Sequence, residues 1–139
     1  MKAHYAAVIA RLRASPALAD KTHDTALVDS GGLPVVGTYA ILYGGAPDVI
    51  MSGRFTAPQL ATSDAEYVYT VRSVSTTADG VRSTQAIVAG QLIGHTLVVA
   101  GRTCSRLRLT DTTDPDLDKS TNPYLFYADQ NFTVNSYPA

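Results

Sequence analysis

The sequence predicts an α+β fold: a single domain over residues 1–139, with a mainly antiparallel sheet of four to five strands, an N-terminal helix and a second helix packed on one face. Two observations support this class. Apolar residues recur at helical spacing at the N-terminus and again over residues 81–97, and residues 66–75 alternate between two faces as a strand does. At this length the chain can bury one substantial core.

The N-terminal helix is predicted over residues 1–14. Its apolar residues recur every three or four positions from Tyr5 to Leu12, while its charged residues lie off that stripe. The helix should end at Ser15-Pro16, because proline disfavours helical backbone in the residue before it.

The next part of the chain is predicted to contain short strands and one long connection. Residues 26–28 should form a short strand closed by a turn at 29–32, and residues 38–43 a buried strand bounded by glycines. Residues 44–64 include several glycines and prolines, so we expect a long loop or an extended hairpin there. A loop of this length in a small domain is usually functional or flexible.

The central strand of the sheet is predicted at residues 66–75, since apolar side chains lie on both of its faces. The helix that follows is expected to be capped by Asp79 and to end near Leu97. The Asp79 side chain would accept a hydrogen bond from an otherwise unpaired amide of the first helical turn.

The second helix has a broad apolar side for the core and a separate stripe of small residues, Ser83, Gly90 and Gly94. An interior glycine costs about 1 kcal/mol relative to alanine, so the close approach of another backbone is the expected compensation. Two interpretations remain open: the stripe packs on the chain's own sheet, or a neighbouring subunit lies against it.

A further strand is predicted over residues 102–110. Its alternation places Leu107 and Leu109 on one face and Arg106 and Arg108 on the other. The arginine face must meet solvent or a partner, and a salt-bridged interface is the favoured interpretation.

The C-terminal part is predicted to be an acidic loop followed by an aromatic strand. The loop covers residues 111–123. The last strand comprises residues 124–127 and 132–134, interrupted by a bulge at 129–131.

Composition excludes several classes of function. Hydrophobic residues make up 45% of the chain, which is typical of a globular protein, and charged residues make up 17% with a net charge of −1. That balance argues against a dedicated nucleic-acid or membrane-surface binder. No apolar run approaches the length of a membrane span, and the first residues do not resemble a signal peptide, so the protein should be made in a cytoplasm.

Three aspartates, Asp114, Asp116 and Asp118, have the alternate spacing of a calcium-binding loop. The match fails at Lys119, where such a loop needs glycine, and at Leu125, where it needs glutamate. A solvated or partner-facing acidic loop is the better interpretation.

No other chemical site is assigned. His4, His23 and His95 lie in different elements without the spacing of a metal site, and Cys104 is the one cysteine, which favours a buried structural thiol. Nucleotide-binding and nucleophile motifs are missing from the sequence. The sequence therefore predicts no cofactor, no metal and no enzymatic activity.

The order of these elements resembles the tail-terminator (tail-completion) family of long, non-contractile-tailed phages. The resemblance covers nearly the whole chain, and residues 44–64 match least. The matching features are the N-terminal helix, Asp29 with the glycines before the strand Tyr39–Leu42, the strand Tyr67–Ser75, the helix 81–97 with Gln85–Val88, the segment Gly101–Cys104 and the aromatic last strand.

The resemblance implies a virion structural protein in the tail–neck region, assembled in the cytoplasm of the host bacterium. Six subunits would form a ring that caps the tail tube, stops its polymerisation and joins it to the neck or head connector. DNA would only pass through the lumen, and no membrane is involved.

A head-to-tail ring needs two different, complementary surfaces on each subunit. The small-residue stripe and the arginine face could form one surface and the acidic loop the other; alternatively, the acidic loop could face the lumen and repel passing DNA. The interface residues expected on this basis are Ser83, Gly90, Gly94, Arg102, Arg106, Arg108, Asp111, Asp114, Asp116 and Asp118.

Other functions compete with this one. A head-completion or stopper subunit of the neck has similar size and composition. A small α+β enzyme using scattered Ser, His and Asp, or a monomeric ligand-binding module with residues 44–64 as its mouth, belongs to a different class. The mass of the protein in solution would distinguish the functions that require assembly from those that a monomer can perform.

Overall fold

Two helices cover one face of a mainly antiparallel sheet in the computed structural model of the chain, as the sequence predicts. The structure describes residues 2–25, 31–49 and 64–139, including their side chains except at 46–49. The strand predicted at 26–28 and most of the long loop lie outside the described residues. The elements are α1 Lys2–Arg13, β1 Thr22–His23, β2 Tyr39–Val49, β3 Ala65–Ser75, α2 Ala78–Leu92, β4 Arg102–Cys104, β5 Arg108–Thr112, β6 Asp116–Asp118 and β7 Leu125–Pro138.

Strand β3 lies at the centre of the sheet, which confirms the prediction for this segment. It pairs antiparallel with β2 on one side and with β7 on the other, and β1 adds a short parallel strand beside β2. The pairing of β3 with β7 runs without a register shift from Ala65 opposite Ser136 to Ser75 opposite Phe126. This ladder joins the middle of the sequence to its end.

Three short strands share the other edge of β7. β4 pairs with the C-terminal end of β7, β5 with its middle and β6 with its N-terminal end. The predicted single strand over 102–110 is wrong, because residues 105–107 turn towards the segment after α2. The Leu107 amide donates to the His95 carbonyl, and the Leu107 carbonyl accepts from the Gly94 amide. The described strands thus occupy five positions across the sheet, in agreement with the predicted width.

Strand β7 is continuous, so the bulge predicted at 129–131 is wrong. The extra residue lies instead in β5, where Thr110 has no partner in the register between Leu109 and Asp111. The acidic segment is also more ordered than predicted, since it contains the end of β5 and the whole of β6, residues 116–118. Backbone pairing with β7 therefore fixes the position of residues 111–113 and 116–118 of this segment.

Strand β2 extends well beyond the predicted residues 38–43. Gly44 and Gly45 have positive φ angles of 93° and 87°, and the register with β3 shifts between Gly44 and Pro47. Glycine adopts such angles without the steric cost that a side chain would bring. The two glycines thus form a bulge inside the strand rather than its end.

Helix α2 has different ends from those predicted. Thr77 caps it rather than Asp79: the Thr77 Oγ1 accepts a hydrogen bond from the amide three residues on, at 3.0 Å. The helix stops at Leu92 instead of Leu97, because Gly94 has a φ of 75°, the left-handed conformation that commonly follows a helix end. Within the described ranges, neither helix has the length and apolar character needed to cross a membrane.

The core has two parts on opposite faces of the sheet. The main part lies between the helices and the inner face, and includes the fully buried rings of Tyr67, Tyr69 and Phe132. The smaller part lies on the outer face and consists of Tyr39, Ile41, Val74 and Leu125, with Tyr43 and Tyr127 packed against it.

Candidate interaction surfaces

The three arginines that the sequence analysis assigns to an interface have two different environments. Arg106 and Arg108 are exposed, and neither forms an ion pair with a residue that the structure describes. Arg102 is half-buried and donates to the Ser136 hydroxyl at 2.9 Å from Nε and to the Ser136 carbonyl at 2.8 Å from Nη2. Arg102 thus holds β4 against β7, whereas Arg106 and Arg108 present their charge at the surface.

The four aspartates that the sequence analysis assigns to an interface lie along β5, β6 and the connection between them. Asp111, Asp114 and Asp116 are exposed, and Asp118 is half-buried. Three of the four carboxylates accept a hydrogen bond from a backbone amide one or two positions on. Hydrogen bonds from Ser120 lower the pKa of Asp118 below its usual value. The segment is therefore an ordered acidic cluster rather than a loose loop.

The basic and acidic groups lie at two ends of the same sheet edge. Arg108 is opposite Thr133 of β7, whereas Asp116 is opposite Tyr127. Six strand positions at roughly 3.4 Å each separate them by about 20 Å, too far for an ion pair within one copy of the chain. Their charges are therefore free to act on other molecules.

The small-residue stripe of α2 is exposed, and its two glycines have open space around them. A Cβ atom added at Gly90 would meet nothing within 4 Å, and the same holds at Gly94. Ser83 is exposed as well. Close packing of the stripe on the chain's own sheet is thus wrong for the part of the chain that the structure describes. Gly94 has a local explanation in its positive φ, and Gly90 has none among the described residues.

The segment after α2 exposes two large apolar side chains. Ile93 is 50% exposed and Val98 is 91% exposed. Leu97 and Val99, on either side of Val98, are buried in the main core. These two anchors fix the segment, so the Val98 side chain projects outward from a held backbone.

Arg106 is next to this apolar segment, because it pairs with Thr96 through an isolated β-bridge. We call segment 93–99 together with Arg106 and Arg108 the basic end of the domain. It combines exposed apolar surface with two positive charges.

A cavity opens on the outer face of the sheet, at the opposite end of β7. Its volume is about 490 Å³, within the roughly 300–1,000 Å³ typical of ligand sites. We call this cavity, together with Asp116 and Asp118 beside it, the acidic end. Its lining includes Tyr39, Ile41, Tyr43, Arg72, Val74, Leu117, Asp118, Lys119, Leu125 and Tyr127.

The charge on the floor of the cavity is internally neutralised. Arg72 and Asp129 form a two-bond pair across β3 and β7, with distances of 2.8 Å from Nε to Oδ1 and 3.0 Å from Nη2 to Oδ2. The Arg72 guanidinium also lies 4.7 Å from the centre of the Tyr127 ring and 6.0 Å from that of Tyr43. The hydrogen bond that Arg72 donates to Asp129 raises the pKa of Arg72, so the guanidinium stays charged. What the cavity offers a partner is mainly aromatic and aliphatic surface.

A buried polar cluster joins α1 to the sheet. His4 Nε2 lies 2.8 Å from Ser136 Oγ, which also accepts from Arg102 and from the Cys104 thiol, and the His4 ring stacks on Tyr67 with centroids 4.1 Å apart. Burial lowers the pKa of His4 to about 4, and the positive charge of Arg102 adds to the shift. Ser136 is 0% exposed, so no substrate can reach its hydroxyl in this conformation.

Among residues 2–25, 31–49 and 64–139, no three His, Cys, Asp or Glu side chains converge to hold a metal ion. Asp114, Asp116 and Asp118 belong to this set. Cys104 is a free, buried thiol, as predicted.

No protein-family model matches this chain, and no curated protein does. Among solved structures, a chain in the virion of a native gene transfer agent (GTA) particle aligns with a TM-score of 0.68 and 21% identity, covering 97% of this chain and 95% of that one. A second solved structure aligns with a TM-score of 0.56 and 19% identity, covering 99% of this chain and 94% of the other. At these identities the likeness establishes a shared fold over nearly the whole chain.

Several residues of these surfaces were outside the sequence-based prediction. The cavity brings together Tyr39, Arg72 and Tyr127, which are far apart in the sequence. The exposure of Val98 was not predicted, because its segment was expected to continue the preceding helix. His4 appeared as an ordinary helix residue, and only its three-dimensional neighbours distinguish it.

We expect Gly90→Ala to raise the free energy of unfolding by about 1 kcal/mol, because the position is exposed, helical and unobstructed. Gly94→Ala is the matched control and should lower it by roughly 1–2 kcal/mol, since an alanine there must adopt a left-handed conformation. Urea denaturation monitored by circular dichroism measures both. A loss of stability in Gly90→Ala would contradict the open environment of this helix face.

The buried His4 should make the protein less stable as the pH falls. Its pKa is about 4 in the folded state against 6.5 normally, so the unfolded chain binds more protons between these values. The free energy of unfolding should therefore decrease from pH 6.5 towards pH 4. NMR titration of the imidazole should give a value near 4 in the native protein and near 6.5 in urea; a native value near 6.5 would contradict the burial of His4.

Proposed function

We propose that this chain is a structural protein of a phage-like virion, and specifically a tail terminator. The observation that carries the proposal is the fold, which is shared over 97% of the chain with a protein of a gene transfer agent virion. The order of elements that resembles the tail-terminator family extends over the same length. A structural rather than enzymatic role is in keeping with these features.

In this role six copies would form a ring on the tail tube, stop its growth and join it to the neck or head connector, with DNA passing through the centre. Assembly of the ring in the host cytoplasm would precede its incorporation at the tail–neck junction. The subunit has what a head-to-tail ring needs, namely two chemically different surfaces. Its basic end and acidic end are far apart and carry opposite charge, and neither neutralises the other within one subunit.

The α2 stripe is a further candidate contact. Gly90 is open to solvent, and no contact within the described chain accounts for a glycine in the last turn of this helix. Contact with a neighbouring subunit or with the tube protein would account for it.

Mass photometry and negative-stain microscopy, with and without the tail tube protein, test this function. We expect rings of about six subunits, or caps on the ends of tubes whose length no longer increases. A strict monomer that leaves tube growth unchanged would contradict the proposal. Binding to the neck connector without any effect on tubes would indicate a stopper subunit instead.

The triple variant Asp114→Asn, Asp116→Asn, Asp118→Asn separates the two roles of the acidic segment in the same assay. If the segment contacts a neighbour, the variant should form fewer rings, and the loss should resemble the effect of high salt. Normal rings on normally capped tubes would exclude the interface role and leave the lumen-facing one.

A further inference from the structure

The basic end and the acidic end are placed at opposite ends of the long strand β7. Segment 93–99 is bonded to residues 105–107, and the Ser105 amide donates to the Asn135 carbonyl near the C-terminal end of β7. The cavity lies beside Leu125 and Tyr127 near the N-terminal end. Eight to ten strand positions separate the two sites, or about 30 Å.

The two sites also belong to different faces of the sheet. Leu97 and Val99 anchor the basic end in the core under the helices, whereas the cavity is built on the cluster of the outer face. One subunit therefore cannot fill its own cavity with its own Val98. A second copy can do so, and it then leaves its own cavity open for a third.

The polarities of the two sites are complementary. Val98 projects almost fully into solvent, and Ile93 adds a second apolar side chain. The cavity offers aromatic and aliphatic walls around a neutralised Arg72–Asp129 pair. Burying these apolar side chains in it would remove their surfaces from water, at about 25 cal/mol for each Å² buried.

The charges around the two sites are complementary as well. Arg106 and Arg108 lie beside the projecting segment and have no ion-pair partner within the described chain. Asp118 lines the cavity, and the Asp116 carboxylate lies 3.4 Å from the hydroxyl of Tyr127 in its wall. Lys119 brings one opposing charge to the rim, which two carboxylates outweigh. The net attraction would orient an incoming basic end.

We propose that the occupant of the cavity is a second copy of this chain: segment 93–99 of one copy, led by Val98, is inserted into the aromatic cavity of the next, with Arg106 and Arg108 facing Asp116 and Asp118. The contact is heterologous, since each copy uses one site as donor and the other as acceptor. This contact rests on the proposed function only in the claim that successive contacts close into a ring. The contact between two copies can be tested independently of that function.

Cysteine crosslinking between two variants tests the contact. Val98→Cys and Lys119→Cys change exposed residues, so both proteins should fold, and the native Cys104 is buried. When the two variants are mixed under mild oxidation, a 98–119 disulfide between copies should form at least about tenfold faster than in the matched mixture of Val98→Cys with Ser83→Cys. Mass spectrometry of the digest identifies the joined residues.

Each outcome decides the contact. Equal rates in both mixtures would reflect random collision and overturn the proposal, and so would faster joining of residues 98 and 83, which would assign the contact to the α2 stripe. Rings without the 98–119 crosslink would overturn this contact and leave the tail-terminator function intact. A specific crosslink in a protein that never caps tubes would retain the contact and reject the function.

Discussion

The uninterrupted antiparallel pairing of β3 with β7 supports the rest of the structure. It holds eleven residue pairs in register, so every second side chain of both strands faces the helices. Buried residues such as Tyr67, Tyr69 and Phe132 therefore form one continuous inner surface on which α1 and α2 pack. The other edge of β7 is long enough to hold three short strands, and its length separates the basic end from the acidic end. A register slip of one residue would reverse the faces of the strand and remove both the core and the cavity.

Local sequence patterns predict the parts of the fold that depend on local interactions. The central strand, the first helix and the α+β class follow from periodicity, because burial on one side imposes the same spacing on the sequence. The prediction errors arise where a distant strand partner or a single backbone angle determines where an element ends or bulges. Ile93 and Leu97 continue the apolar spacing of α2, but Gly94 ends the helix. The bulge at Thr110 depends on the register with β7, which no local pattern records.

The candidate surfaces were predictable in their charges but not in their arrangement. The arginines and aspartates were visible as two clusters, yet their separation along one edge depends on the pairing of β5 and β6 with β7. Arg102 appears in the sequence as one of three equivalent arginines, whereas in the fold it bonds Ser136. The cavity could not be foreseen, since its walls come from segments that meet only in the folded sheet. Together these features give the fold two chemically different ends, which is what the proposed head-to-tail contact between copies requires.

The most direct measurement of this asymmetry is sedimentation velocity on a mixture of two variants that each lose one end. Val98→Asp places a charge on the projecting segment, and Lys119→Trp places a large ring at the mouth of the cavity. Each variant alone should sediment as a monomer, whereas the equimolar mixture should form a one-to-one dimer, because one intact basic end meets one intact acidic end. A mixture that sediments as monomers at concentrations where the unmodified chain self-associates, or an unmodified chain that does not self-associate at all, would contradict the head-to-tail contact.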